Sequence, residues 1–173
     1  STEGNVSGML ALYAEQPGFF DDEEMRLLNE LAGDISFALA HLAQQEKLNY
    51  VALYDPLTGL ANRTLLSERL AQTIRGAGQA GTKVALALLD LERFRTVNDS
   101  LGRQAGDALI KQVAQRLARA AGTAEVARIS ADHFAIVLAP VNGQPEVTKR
   151  LQDLQQRCFG EPYHANDAEL RLS

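Results

Sequence analysis

The chain has 173 residues, 46% of them hydrophobic and 23% charged, with a net charge of −5. That composition suits a folded globular protein of one domain or slightly more, and the acidic balance argues against nonspecific nucleic-acid binding, which needs a surplus of Lys and Arg on one face. The lone cysteine, Cys158, excludes an intrachain disulfide and fits a reducing, cytoplasmic compartment. It reads as a small buried hydrophobe on a helix. No apolar run approaches the roughly twenty residues of a membrane span. The longest, Val84 to Leu89, ends at Asp90 and reads as a buried strand.

In chain order, Gly8–Tyr13 reads as a strand, followed by a polar loop and a strong helix start. Asp21 can cap with Glu24, and Phe20 can pack on Met25, giving a capping box and a hydrophobic staple. Leu28, Leu31, Ile35, Ala38 and Leu42 then mark one apolar stripe at helical spacing. After Leu42 the seam shifts to Leu48 and Val51, a stutter that locally alters supercoil. The stripe suits packing within its own domain or pairing with a second copy in a dimer. One strand and one helix cannot bury their apolar faces alone, so residues 1–41 are expected to end an upstream domain. Gly8–Tyr13, Phe19–Glu24 and Leu27–Ala32 are similar to the last strand and last helix of GAF sensor domains. Both chain ends look cut from a longer protein.

Asp55-Pro56 should stop the long helix, because proline disfavours helical geometry in the residue before it. Asn62 can cap a helix carrying Leu65, Leu66, Leu70 and Ile74. Gly76, Gly78 and Gly81 are expected to form the loop before strand Val84–Leu89. A short helix over Glu92–Leu101, stopped by Gly102, and a longer one over Asp107–Ala120 come next. Strands Glu125–Ile129 and Phe134–Leu138 flank a four-residue turn. A helix over Pro145–Phe159 and a strand over Ala168–Leu172 finish the chain. The order β-αα-β-β-α-β predicts an α+β fold with a ferredoxin-like, split-βαβ sheet.

A strand–helix–strand crossover makes parallel strands whose carboxyl ends share one edge. Asp90 follows the first strand and the turn Ser130–His133 follows the second, so Asp90 and Asp132 can converge. Two carboxylates at a strand end are a common first shell for Mg²⁺ on nucleotide phosphates. Two separate solvated aspartates are the plainer alternative.

Three stretches decide between these readings. Asp55-Pro56-Leu57-Thr58-Gly59-Leu60-Ala61-Asn62-Arg63, Asp90-Leu91-Glu92-Arg93-Phe94-Arg95-Thr96-Val97-Asn98-Asp99 with Gly102 and Gly106-Asp107, and Arg128-Ile129-Ser130-Ala131-Asp132-His133-Phe134 stand in order. They resemble the D-x-L-T-G-L-x-N-R, D-x-D-x-F-K-x-x-N-D-x-x-G-H-x-x-G-D and R-x-G-G-D-E-F patterns of the GGDEF (diguanylate cyclase) family. The resemblance implies a division into a GAF-like tail at 1–41, a linking helix at 42–54, and a GGDEF-like domain at 55–173 truncated at its C-terminus.

It further implies that Asp90, the Leu91 carbonyl and Asp132 hold metal, and that Asn98 and Asp107 read guanine. Phe94, Arg95, Ser130 and Ala131 complete the nucleotide-binding positions, with Arg95 where the family has Lys. Members join two GTP molecules, each with Mg²⁺, into cyclic di-GMP across a dimer of such domains. Here Ser130 and Ala131 replace two glycines, at a cost of about 1–2 kcal/mol wherever φ must be positive, and they obstruct close approach to phosphates. His133 replaces the second acidic residue and supplies no hard oxygen to Mg²⁺; losing one such group costs about 10²–10³ in rate. Arg103 replaces the family's His and Glu92 its second Asp. The product-inhibition motif falls on Ala121 and Ala124 and is therefore absent. These departures imply a catalytically impaired domain that binds GTP and Mg²⁺ weakly and regulates a downstream EAL phosphodiesterase-like partner. An active cyclase, or a dimerisation relay that binds no nucleotide, are the alternatives.

Overall fold

The computed structural model describes residues 8–13, 15, 19–122, 125–165 and 168–172. They form two compact units, Ser1–Tyr50 and Val51–Ser173. The first is dominated by helix α1, which spans Asp22–Leu53 and is 32 residues long. Its start is the expected capping box. The Glu24 amide donates to Asp21 Oδ1 at 2.8 Å, and Glu24 Oε2 accepts from the Asp21 amide at 3.0 Å. Phe20 and Met25 line one small cavity with Leu10, Leu12 and Leu28.

The strand expected over Gly8–Tyr13 is not formed among the described residues. No described strand pairs with the segment, and a strand is stable only through its ladder. On the stripe, Leu31, Ile35 and Leu42 are exposed, and no described residue of α1 is fully buried.

The second unit is built on a three-stranded sheet of order β1-β3-β2. Its strands are β1 (Lys83–Asp90), β2 (Val126–Arg128) and β3 (His133–Val141), and both outer strands run antiparallel to β3. The outer strands are therefore parallel to each other, as the crossover rule requires, but β3 lies between them. Central β3 is buried on both faces, so its sequence His-Phe-Ala-Ile-Val-Leu is continuously apolar after the first residue rather than alternating. Phe134, Ile136 and Leu138 join the larger core with α4 (Arg103–Ala121) and α5 (Gln144–Phe159). Ala135 and Val137 pack with Leu66 and Leu70 of α2 (Arg63–Ala80) on the opposite face. Helix α3, Phe94–Leu101, precedes α4. The fold is the α+β arrangement expected, with helices on both sheet faces.

Several elements differ from expectation. Gly76 and Gly78 lie inside α2 rather than in a loop; only Gly81, at φ 68°, ends the helix in the left-handed conformation. A mid-helix glycine costs only about 1 kcal/mol against alanine, and the packing of Leu66 and Leu70 outweighs it. Helix α4 starts at Arg103 instead of Asp107, because Gly102, at φ 85°, separates it from α3 in a single residue. The final strand β5 (Ala168–Leu170) pairs with a strand the sequence did not suggest, β4 (Tyr163–Ala165), in a two-stranded sheet of its own. That hairpin is anchored to α4 and α5 by Arg116, which donates to the carbonyls of Cys158, Glu161 and Pro162. The same guanidinium lies 4.0 Å over the Tyr163 ring. Tyr163 is fully buried and donates to the Cys158 carbonyl at 2.7 Å, and burial pushes its phenol up to about 12. Cys158 is fully buried, as expected of it.

Candidate functional site

The site forms where β1 ends and β3 begins. Asp90 and His133 are cross-strand partners, so the ladder fixes the distance between them. One residue on, the Leu91 amide donates to the Asp132 carbonyl at 3.1 Å and ties the turn to β1. The turn closes on itself through the amides of Ile129 and Ser130, which both donate to the His133 carbonyl. The result is that Asp90, Asp132 and His133 each offer one donor atom, and these atoms lie within 4.8 Å of one another. Their side chains are 61%, 37% and 44% exposed, leaving the group open to solution.

Within this group the imidazole is the best-held side chain. His133 Nδ1 lies 2.7 Å from Asp132 Oδ1 and 2.9 Å from Ser130 Oγ. An ionised carboxylate only accepts, so Nδ1 carries the proton in this contact and, in the neutral ring, Nε2 keeps its lone pair. Nε2 is 3.9 Å from Asp90 Oδ2.

Ser130 and Ala131 correct one expectation. Neither has positive φ, so the turn closes without the conformational cost anticipated for losing two glycines. The one described non-glycine residue with positive φ is Arg93, at 61°, on the β1–α3 connection where the Phe94 amide donates to the Leu91 carbonyl at 3.2 Å. One lone pair of the carbonyl expected to face metal is thus engaged within the turn.

The expected guanine readers sit on the facing helices α3 and α4. Asn98 lies directly over Gly106: a Cβ there would overlap its Oδ1 and crowd the Phe94 ring edge at 3.3 Å. Gly106 is therefore what lets α3 approach α4 closely at Asn98. Asp107 and Arg95 are exposed, whereas Phe94 is buried in the core rather than presented to a ligand. At the product-inhibition positions, Ala121 ends α4 and Ala124 lies outside the described residues.

A contact that the sequence reading passed over braces the turn from behind. Arg128 Nη1 donates to both oxygens of Asp55 at 3.1 and 3.2 Å, and Nη2 donates to the Ala131 carbonyl at 2.6 Å. Asp55 also accepts from the Thr58 hydroxyl and amide at 2.6 and 2.9 Å. Partial burial pushes the Asp55 carboxyl up, but the Thr58 bonds and the Arg128 guanidinium outweigh it and hold the group below the usual carboxylate range. Asp55 and Arg128 stood in the quoted motifs, yet 73 positions separate them and nothing in the spacing joins them.

The donor set suits a divalent cation in part. Two carboxylates at a strand end are hard oxygen ligands of the kind Mg²⁺ takes, while an imidazole beside them is not.

Residues 52–173 match the family model described as diguanylate cyclase, GGDEF domain, and residues 1–40 match a GAF domain model. The diguanylate cyclase DgcP of Pseudomonas aeruginosa is 33% identical over 150 residues, covering 86% of this chain and 22% of the relative. The cyclic di-GMP phosphodiesterase NbdA of the same organism is 34% identical over 151 residues, covering 87% of this chain and 18% of the relative. The chain thus spans about a fifth of these curated relatives. Among solved structures, the coiled coil and GGDEF domain of DgcB from Caulobacter crescentus, in complex with c-di-GMP, aligns with TM-score 0.64 at 27% identity over 85% of this chain and 77% of that one. The isolated GGDEF domain of TpbB from Pseudomonas aeruginosa aligns with the same TM-score at 29% identity, covering 69% and 70%. The matching family model and the shared fold together establish that this chain belongs to the GGDEF domain family of cyclic di-GMP signalling.

Proposed function

We propose that residues 55–173 form a catalytically impaired GGDEF domain that binds GTP with Mg²⁺ and reports its occupancy to a downstream partner. The observation that carries this reading is the combination at one strand end. Asp90 and Asp132 converge, while His133 stands in the place of the second signature carboxylate. Asp90, the Leu91 carbonyl and Asp132 would hold the cation, which supplies charge neutralisation for the nucleotide phosphates. Asn98 and Asp107 would read the guanine edge, an amide and a carboxylate matching its donors and acceptor. Arg95, exposed on α3, offers a cation to phosphate. Phosphoryl transfer depends on positioning and on stabilising charge, and exchanging a carboxylate for His133 removes negative charge beside the metal. Ser130 and Ala131 add bulk where the backbone would meet the phosphates.

The regulated partner is proposed to be an EAL-type phosphodiesterase, a reading favoured by the match to NbdA, a cyclic di-GMP phosphodiesterase. Exposed Leu42, Leu48 and Val51 on α1 support pairing of two copies through the linking helix, residues 42–54, carrying a signal from a GAF-like sensor tail at 1–41. A cytoplasmic location belongs to the same proposal, since GTP is its ligand. None of the described helices is long and apolar enough to cross a membrane. The similarity to DgcP, a diguanylate cyclase, favours active synthesis as the second reading.

Calorimetric titration of GTP in Mg²⁺, with chromatography of the products, separates the two. The expected outcome is binding in the micromolar to tens-of-micromolar range, lost on Asp107→Ala, with no cyclic di-GMP formed. Product abolished by Asp90→Ala would establish the cyclase, and no binding up to millimolar GTP would leave a relay without nucleotide.

A further inference from the structure

We infer that the Asp90–Asp132–His133 group prefers a nitrogen-accepting divalent cation of the Zn²⁺ type over Mg²⁺, with His133 Nε2 as a ligand. This rests on the carboxylate pair that the nucleotide reading also uses, but it changes the ion that pair takes. The disagreement between the donor set and Mg²⁺ is the starting point. Mg²⁺ demands oxygen ligands in near-octahedral array, whereas imidazole suits Zn²⁺ and its neighbours.

The geometry specifies which nitrogen is available. Asp132 Oδ1 at 2.7 Å and Ser130 Oγ at 2.9 Å both engage Nδ1. A carboxylate bonded to one imidazole nitrogen fixes the ring's orientation and tautomer and makes the other nitrogen more basic, an arrangement that recurs behind metal-bound histidines. Here it leaves Nε2 free on the side of Asp90, 3.9 Å from Oδ2. Two donors at about 2.0–2.1 Å from one tetrahedral Zn²⁺ stand about 3.4 Å apart, so a closure of about half an ångström completes the pair. Both side chains are more than two-fifths exposed and free to make it. The Cα positions do not have to move, because Asp90 and His133 are paired in the ladder. Asp132 either orients His133 or joins as a third ligand through its other oxygen. Open positions remain for water or an anionic ligand.

The test uses metal alone, without nucleotide. Zn²⁺ and Mg²⁺ are titrated calorimetrically into the 173-residue chain and its variants, and imidazole ¹⁵N resonances are followed. One equivalent of Zn²⁺ is expected to bind and to be lost on Asp90→Ala. His133→Glu should weaken Zn²⁺ by about tenfold or more, the scale on which a disturbed metal shell acts, and should tighten Mg²⁺. His133→Gln should lose Zn²⁺ without gaining Mg²⁺, which separates loss of the nitrogen from gain of a carboxylate. The His133 Nε2 resonance should move on adding Zn²⁺ while Nδ1 stays protonated. An unchanged Zn²⁺ isotherm in His133→Glu, or resonance shifts confined to His41 and His164, would overturn the inference. Zn²⁺ binding that holds while GTP fails to bind in Mg²⁺ sinks only the nucleotide reading; the reverse pattern sinks only this one.

Discussion

His133 and Gly106 show how much single residues decide here. The imidazole at 133 is held by two side chains of its own turn, so its effect on the neighbouring Asp90 and Asp132 is local and needs no shift in the fold. Gly106 acts through space instead of charge. Any side chain there collides with Asn98 Oδ1 and presses on Phe94, and the clash falls on the residue assigned to guanine. Gly106→Ala is therefore expected to weaken GTP binding about as much as Asn98→Ala does. It should also destabilise the domain by about 1–3 kcal/mol, the usual range for overpacking a close helix contact. Calorimetry with GTP and thermal unfolding of the same sample check both effects. A glycine in the H-x-x-G-D pattern was legible in the sequence. That it seats an asparagine eight residues earlier was not, because that depends on how α3 and α4 cross.

At the scale of elements, local signals fared best where one residue determines the outcome. The capping box at Asp21, the cap at Asn62 and the stop before Pro56 all formed as read, the Leu65 amide donating to Asn62 Oδ1 at 3.1 Å. Glycine misled in α2, where three glycines in six residues suggested a loop, yet only Gly81 carries a left-handed backbone. No atom would meet a Cβ at Gly76 or Gly78. Gly78→Ala is accordingly expected to raise stability by about 0.5–1 kcal/mol through helix propensity and the unfolded chain. Gly81→Ala should lower it by about 1 kcal/mol, because alanine resists φ 68°. Thermal melts of the two variants should move in opposite directions. The strand β4 escaped notice because three residues are too few to show alternation, and it stands through the Arg116 clamp and Tyr163 rather than through its own pattern.

Across the whole molecule, the pieces that define the site come from positions far apart in sequence. Chain order allowed the convergence of Asp90 and Asp132, since a crossover brings successive strand ends to one edge, and the three motifs decided for it over two separate aspartates. The inserted position of β3 between the outer strands was not, because pairing partners in a sheet are chosen by packing. The Asp55–Arg128 pair likewise spans the unit, joining the chain just after α1 to the signature turn. The side chains are 19% and 11% exposed, so solvent screens them little. Asp55 is held below its ordinary value, so its stabilising contribution is full above about pH 4 and declines as pH falls through the depressed folded value. Arg128→Ala should shift the acid-unfolding midpoint upward. At neutral pH it should also cost roughly 2–4 kcal/mol, since it leaves a partly buried carboxylate without its cation. Acid titration followed by circular dichroism provides the check.

The strand that follows the signature turn has one further consequence. Phe134, Ile136 and Leu138 insert into the main core, and Ala135 and Val137 into the opposite one. A one-residue slip of β3 would exchange the two faces entirely. The register of the turn is therefore set by side chains outside it, while residues 130–133 hold to the sheet through backbone bonds at Asp132 and His133 rather than through core packing. Side chains in the turn can therefore change without moving the register of β3, because the two core faces keep it in place.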